Sequence, residues 1–392
     1  MLKFLVRGLL ILACVIAAVG FFYRDRVSQL LAVNSLFSEE KITENFSTMT
    51  DLFYSTELPR GDGPVSPLPE GTQITLPAGF DSWAEARSLT ALVVLKDGEI
   101  VHESYYQGTG PEDRRISWSV AKSYLATLVG TAVDAGEIPD LDALVTDYVP
   151  AFAGTAYEGV SIRNVLNMSS GVVFNEDYFD FWSDINKMGR VLALGGSMDA
   201  FAADLDETFI EPGTRFQYTS IDTHVLGMVL RAATGESLPE LITTRLIEPL
   251  GLESDGAYIT DGDGVAFALG GLNFTTRDYA RFGQMILQEG EWQGKQIVSA
   301  DWVLRSTRAT AKTAEGALKY GYQWWMPRDI DPAQRDHEFF GIGVYGQHLY
   351  INPEKGVVIA HNGSDRAFRD TGVIDTNIAM FRALAEAAAG GQ

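Results

Sequence analysis

One cysteine, Cys14, stands in 392 residues, so no intrachain disulfide can form and no cysteine-based metal site can be built. Histidine is also scarce. The five residues His102, His224, His337, His348 and His361 form no H-E-x-x-H pair, which argues against zinc hydrolysis. No G-x-S-x-G occurs, so an α/β-hydrolase nucleophile elbow is missing. Positive charge is in deficit as well: 30 Lys and Arg face 52 Asp and Glu, a formal net charge of −22. Such a surface disfavours nucleic acid, which needs clustered Lys and Arg, and repels anionic membranes at short range. Internal repeats are absent. What remains is a chain with 46% hydrophobic and 21% charged residues, an ordinary globular composition.

The first 26 residues differ from the rest. Lys3 and Arg7 precede an apolar run from Gly8 to Tyr23, slightly short for a bilayer core of about 30 Å. Phe4-Leu5-Val6, with Arg7 snorkelling, lengthen it. The only small-residue cleavage signal, Ala18-Val19-Gly20, is weak, so residues 1–26 read as an uncleaved signal anchor and transmembrane segment. Residues 27–80 are polar and loop-like, with Gly61-Asp62-Gly63-Pro64 and Pro67-Leu68-Pro69. They predict an arm lying over the domain and outside its core. Residues 81–392 read as the main domain, with a mostly helical subdomain inserted at roughly 137–280.

Within that domain, Ala91–Leu95 and Ile100–Tyr106 flank an Asp97-Gly98 turn, a hairpin signal. Val120, Tyr124, Leu125, Leu128 and Val129 recur at helical spacing from Ser119 to Ala135. Helices are also predicted over 161–168, 223–234 and 276–289, the last capped by Thr276. A second hairpin spans 346–360, and a closing helix 376–389. Strands at both ends with helices between them predict an α+β fold whose antiparallel sheet joins distant parts of the chain.

Ser119-Val120-Ala121-Lys122 is an S-x-x-K at the start of the 119–135 helix, which places both side chains on one face. A serine hydroxyl needs a neighbouring base, and a buried lysine can serve because desolvation disfavours the ammonium. Ser38-Glu39-Glu40-Lys41 fits the same pattern, but in a charged stretch where the lysine is solvated. Tyr218, in Tyr218-Thr219-Ser220, is a second proton-handling residue if it meets Lys122, and a core tyrosine if it does not. Gly341-Ile342-Gly343-Val344-Tyr345-Gly346 is literally G-x-G-x-x-G, yet the residues after it are strand-like where a dinucleotide site needs a helix. Asp261-Gly262-Asp263-Gly264 reads as a plain turn, His348 as structural, and Trp324 and Trp325 as core or pocket wall.

In order along the chain, Ser119–Ser123, Ile162–Gly171, Glu211–Ser220, Glu248–Leu252, Gly270–Asn273 and Arg277–Gly283 resemble the class C β-lactamase, penicillin-binding protein and esterase superfamily. Ser117–Ser123 and Phe174–Tyr178 most resemble its 6-aminohexanoate-dimer hydrolase branch, which cleaves linear amides and carboxylic esters. The resemblance implies a β-lactamase/transpeptidase-like fold and a Ser119 acyl-enzyme. Lys122 and Tyr218 would form the base system, and the sequence leaves open which acts first. It also implies no cofactor and no metal, and a small-molecule amide or ester as partner. The third motif departs from the family's Lys-Thr-Gly: Gly341-Ile342-Gly343 stands there, followed by Val344, whose N–H is expected beside that of Ser119 as oxyanion donor. The missing cation, and Ser220 in place of an asparagine, argue against β-lactam hydrolysis. Glu176, Tyr178 and Ser220 are the expected substrate-binding residues. Two alternatives stay open: a D-amino-acid peptidase acting on cell-wall peptides, and a non-catalytic binding protein on the same fold. With the anchor, the expected location is the periplasmic face of a bacterial inner membrane; the oligomeric state is not legible.

Overall fold

The computed structural model describes residues 7, 8, 20, 35–331, 334 and 336–390. Its main sheet has seven antiparallel strands. Strands β2 (Leu89–Lys96) and β3 (Glu99–Tyr105) form the first predicted hairpin, and β12 (Gln347–Asn352) and β13 (Val357–Gly363) the second. Asp97 and Gly98 turn the first with φ of 51° and 86°, the paired left-handed conformation a two-residue hairpin favours. The hairpins meet where β13 pairs with β2, so the N- and C-terminal parts of the domain share one sheet. Beyond β12 the sheet continues through β11 (Phe339–Gly343), β10 (Trp325–Met326) and β9 (Lys319–Tyr320), giving the order β3-β2-β13-β12-β11-β10-β9.

Both faces of this sheet are covered, which is why β2 is apolar without alternation. Leu92, Val94 and Ile359 pack with Phe381 and Leu384 of the closing helix Val373–Gly390. Val93, Leu95 and Val358 face the opposite way, into the larger core that contains Phe282 of the helix Thr276–Leu287. That helix is capped by Thr275, whose hydroxyl accepts the Asp278 N–H, and not by Thr276. The Thr276 hydroxyl instead donates to Asn362 Oδ1 at 2.8 Å, tying helix to sheet.

A second sheet contains β1 (Ser55–Leu58), β5 (Gly256–Ile259), β6 (Leu272–Phe274) and β4 (Arg115–Ile116), paired in that order. A two-stranded ribbon, β7 (Glu291–Trp292) and β8 (Lys295–Gln296), completes the strands of the described residues. Strand β4 delivers the chain to residue 117, and Ser117 N–H is held by Leu272 O at 2.7 Å. Between β4 and β5 lies the mostly helical region, including Ile162–Leu166, Asp184–Ala193 and Ser220–Thr234. The last part of the predicted subdomain, β5 and β6, belongs to the second sheet.

The arm differs from expectation. Leu36, Ile42, Phe46, Met49 and Leu58 are buried in the main core, and β1 pairs with β5. Ile42, Phe46 and Met49 recur at helical spacing across two one-turn helices, a stripe that the polar average of residues 27–80 conceals. Among the described residues no helix is long and apolar enough to cross a membrane. The predicted anchor, except for residues 7, 8 and 20, lies outside them.

Candidate active site

Ser119 sits in a single 3₁₀ turn, Trp118–Val120, that feeds directly into the helix Ala121–Asp134. The turn is squeezed between β4 and the end of β11. A Cβ on Gly343 would lie 2.6 Å from Ser117 O and 3.1 Å from Trp118 Cβ, so only glycine lets the strand approach this closely. Trp118, immediately before the serine, holds φ at +40°, a conformation an L-residue keeps only where its surroundings enforce it. The first helical N–H groups, Ser119's among them, are available to an oxyanion. Val344 follows Gly343 and lines the same cleft as Ser119.

Lys122, three residues on, is 2% exposed and donates from Nζ to Leu269 O at 3.0 Å. Tyr218 reaches the same place from the turn before the helix Ser220–Thr234. The Ser119 and Ser220 hydroxyls are polar neighbours of its phenol, and Lys122 Nζ stands 5.6 Å from its ring centroid. Trp325 of β10 stacks on the Tyr218 ring at 5.4 Å and 28°, while Trp324 is buried in the core. The three residues of the predicted catalytic set therefore converge, although 99 positions separate Ser119 from Tyr218.

Behind them lies an acidic group. Glu176 Oε1 accepts the Ser220 N–H, and the Tyr178 and Ser220 hydroxyls are its other polar neighbours. Tyr178 also lines the cleft, with the Arg369 guanidinium 5.3 Å over its ring. Glu176 and Ser220 do not line it, and neither do Lys122 and Tyr218; Ser220 is fully buried. Sequence reasoning missed Asp222, fully buried, whose Oδ1 accepts the Tyr157 hydroxyl at 2.7 Å. Its signal was one acid spaced i+4 from Tyr218 at the start of an otherwise apolar helix face.

These surroundings decide the protonation states. Burial lowers the Lys122 pKa to about 7, against the opposing pull of Glu176 and Asp222. Burial, reinforced by Glu176, raises that of Tyr218, which therefore holds its proton at neutral pH. Glu176 is raised by burial, and Asp222 is raised by burial to about 7. The arrangement supplies an amine that is partly unprotonated at neutral pH, together with a hydroxyl nucleophile and a phenol that can donate.

The cleft holds about 470 Å³. Ser119, Trp118 and Val344 form its floor, Leu36 and Phe37 of the arm one wall, and Phe179, Phe181 and Ile185 another. Arg190 on this wall is engaged with Phe181, donating to its carbonyl at 2.7 Å with the guanidinium 4.2 Å over its ring. The lining is thus largely apolar around a reactive floor.

The discounted motifs take the structures expected of them. Residues 341–346 run from β11 through a turn into β12, with no helix to receive a pyrophosphate. Asp261 Oδ1 accepts the N–H groups of Asp263 and Val265, each at 2.9 Å, as a turn residue does. Lys41, from the other S-x-x-K, is exposed.

The Beta-lactamase family model matches residues 83–371, which includes Ser119, Lys122, Tyr218 and Val344 but not the arm residues of the cleft wall. The chain belongs to the beta-lactamase family. It is a serine hydrolase of that family, with the β-lactamase/transpeptidase-like fold. Among its relatives, the 6-aminohexanoate-dimer hydrolase of Paenarthrobacter ureafaciens is 35% identical over 283 residues, covering 69% of this chain and 71% of that protein. Esterase EstB of Burkholderia gladioli is 30% identical over 210 residues, 46% of this chain and 50% of EstB. Among solved structures, a Bacillus anthracis protein provisionally named a 6-aminohexanoate-dimer hydrolase superposes with a TM-score of 0.79 at 22% identity, covering 90% of this chain and 95% of that one.

Proposed function

We propose that this beta-lactamase family member cleaves a small linear amide or carboxylic ester through an acyl-enzyme on Ser119. Ser119 on the floor of an apolar cleft, with Lys122 and Tyr218 brought together beside it, carries the reading. Neutral Lys122 takes the Ser119 proton as Oγ attacks the carbonyl carbon, because between Lys122 and Tyr218 it is the one whose pKa lies near neutrality. The N–H groups of Ser119 and Val344 receive the developing oxyanion. Tyr218, still protonated, gives its proton to the leaving nitrogen or oxygen as the tetrahedral intermediate collapses, and regains one from the Lys122 ammonium. Water then attacks the acyl carbon with the same groups acting in reverse. Of the expected substrate residues, Tyr178 meets the substrate directly, while Glu176 and Ser220 do not line the cleft. The apolar walls suit an aliphatic acyl or amine portion, in keeping with the amide hydrolase and esterase names of the relatives.

Residues 1–26, as a signal anchor, would hold the domain at the periplasmic face of a bacterial inner membrane. The basic-flanked apolar run supports this, and proteolysis of intact spheroplasts tests it: protection of the domain from added protease refutes a periplasmic location.

Hydrolysis of p-nitrophenyl acetate, p-nitrophenyl butyrate, a 6-aminohexanoate dimer and a chromogenic cephalosporin, each with wild type and Ser119→Ala, tests the reaction. Ester or linear-amide turnover that disappears in the variant is expected. Cephalosporin as the preferred substrate, or turnover independent of Ser119, overturns the assignment.

A further inference from the structure

Arg190 is the one charged side chain among the described residues that line the cleft. It stands half-buried in the last turn of the helix Asp184–Ala193, and among the described residues no carboxylate pairs with it. Acids are not in short supply, since the chain carries 52 Asp and Glu against 30 Lys and Arg. Those closest in sequence are engaged elsewhere. Asp184 holds Lys187 at 2.9 Å, while Asp177 and Asp180 accept the N–H groups of Phe179 and Trp182 in their own turns, at 3.0 and 2.9 Å. The guanidinium is nonetheless fixed in place. Its Nη1 donates to Phe181 O at 2.7 Å, and the group lies 4.2 Å over the Phe181 ring and 6.0 Å from the Trp182 ring. Nε and Nη2 have no hydrogen-bond partner among the described residues. They form the edge with which a guanidinium meets a carboxylate through two parallel bonds. A staple between loop and helix accounts for the Phe181 bond, but that bond needs neither the charge nor the second edge.

We propose that Arg190 binds a free carboxylate of the substrate, so that the ester or linear amide cleaved here is an aliphatic one with an anionic end. This rests on the reading of the cleft as the site of acyl transfer to Ser119. The lining offers an ammonium group nothing in return. Among the described residues no Asp or Glu lines the cleft, so a cationic end would give up its water without a counter-charge. A carboxylate carried in along the apolar walls meets one cation already held by its aromatic neighbours. The partial exclusion of water there strengthens the pair. Because Arg190 is fixed before the substrate arrives, little side-chain freedom is lost on binding.

The test compares kcat/KM of wild type, Arg190→Gln and Ser119→Ala on two matched pairs of esters. In p-nitrophenyl hexanoate and mono-p-nitrophenyl adipate the acyl chain ends in a methyl or a carboxylate. In phenyl butyrate and 4-carboxyphenyl butyrate the carboxylate is added to the leaving group instead. The ratio of wild type to variant on each ester cancels that ester's own reactivity. Arg190→Gln should lower kcat/KM for the anionic member of at least one pair by about 10–100-fold more than for its neutral partner, chiefly through KM. Equal losses on both members of both pairs would make Arg190 a structural staple and overturn the proposal. Where Arg190→Gln fails to fold, the wild type decides: hexanoate should inhibit phenyl butyrate hydrolysis at about tenfold lower concentration than hexylammonium, and equal inhibition overturns the proposal. Hydrolysis that survives Ser119→Ala would instead refute the underlying serine mechanism, whatever the charge preference.

Discussion

Gly343→Ala isolates the oxyanion assignment. Gly343 is extended backbone in β11, so alanine meets no conformational objection, and the whole effect comes from one methyl group. That methyl would stand 2.6 Å from Ser117 O, 2.9 Å from Gln347 Cβ and 3.1 Å from Trp118 Cβ. Ordinary contact begins near 3.5 Å, so strand and nucleophile turn must separate by on the order of 1 Å. Overpacking of this kind costs about 1–3 kcal/mol of stability. The catalytic cost is larger, because the gap opens between the Val344 and Ser119 N–H groups. Losing one oxyanion donor lowers kcat by about 10²–10³-fold, and a 1 Å misplacement is worth on the order of 10². Gly341→Ala, two residues earlier on the same strand, is the control. Its methyl meets only Ser123 Oγ at 3.2 Å and Val120 Cγ1 at 3.4 Å among the nearest side-chain atoms, which can give slightly. Ester hydrolysis should fall about a hundredfold in Gly343→Ala and only a few-fold in Gly341→Ala, with urea denaturation recording the stability of each. Equal kcat in the two variants would refute the placement of the second donor at Val344.

Tyr218→Phe should lower kcat by about 10²–10⁴ with little change in KM, since the phenol acts on the leaving group and not on binding; a pre-steady-state burst separates the steps, and unchanged kcat would remove Tyr218 from the mechanism. Arg281→Ala should cost about 3–5 kcal/mol in chemical denaturation, because its 2.8 Å partner Asp278 is left buried without its cation. Stability should also fall on acidification through the His348–His361 pair, whose ring nitrogens lie 3.4 Å apart in the core. Burial lowers His361 to about 4 from 6.5, and lowers His348 as well, so between those values the unfolded chain binds more protons and stability drops as pH falls. His361 alone accounts for about 2 kcal/mol between pH 8 and 5. In His361→Asn that share of the slope should vanish, and parallel slopes would refute it.

The two hairpins, the nucleophile helix and the helix at Ser220–Thr234 were legible because each is specified locally, by a turn dipeptide, a glycine stop or an apolar stripe. The cap at Thr276 was misplaced by one residue because Thr275 and Thr276 are chemically equal candidates; only the close approach of Asn362 tells them apart. The arm was misjudged because short helices carry too few residues for their stripe to rise above a polar background. Ser119, Lys122 and Tyr218 were legible together through the order of motifs, and Tyr178 as a cleft residue through its loop. Glu176 and Ser220 were legible as site residues but not as residues outside the cleft lining, since depth is not written in spacing. Asp222 left only a faint mark, one acid in an apolar helix.

The amino-acid sequence by itself determined the elements and the chemistry on offer: a serine and a lysine one helical turn apart, a distant tyrosine, and strands able to form one sheet from both ends of the chain. Tertiary structure alone decided that the tyrosine arrives at the serine, that Gly343 presses on the nucleophile turn, and that two carboxylates share the burial of Lys122. Helical spacing and turn chemistry act over a few residues and can be read along the chain. A pKa, a cleft or a contact between residues a hundred positions apart depends on which surfaces exclude water together, and that is settled only when the core closes.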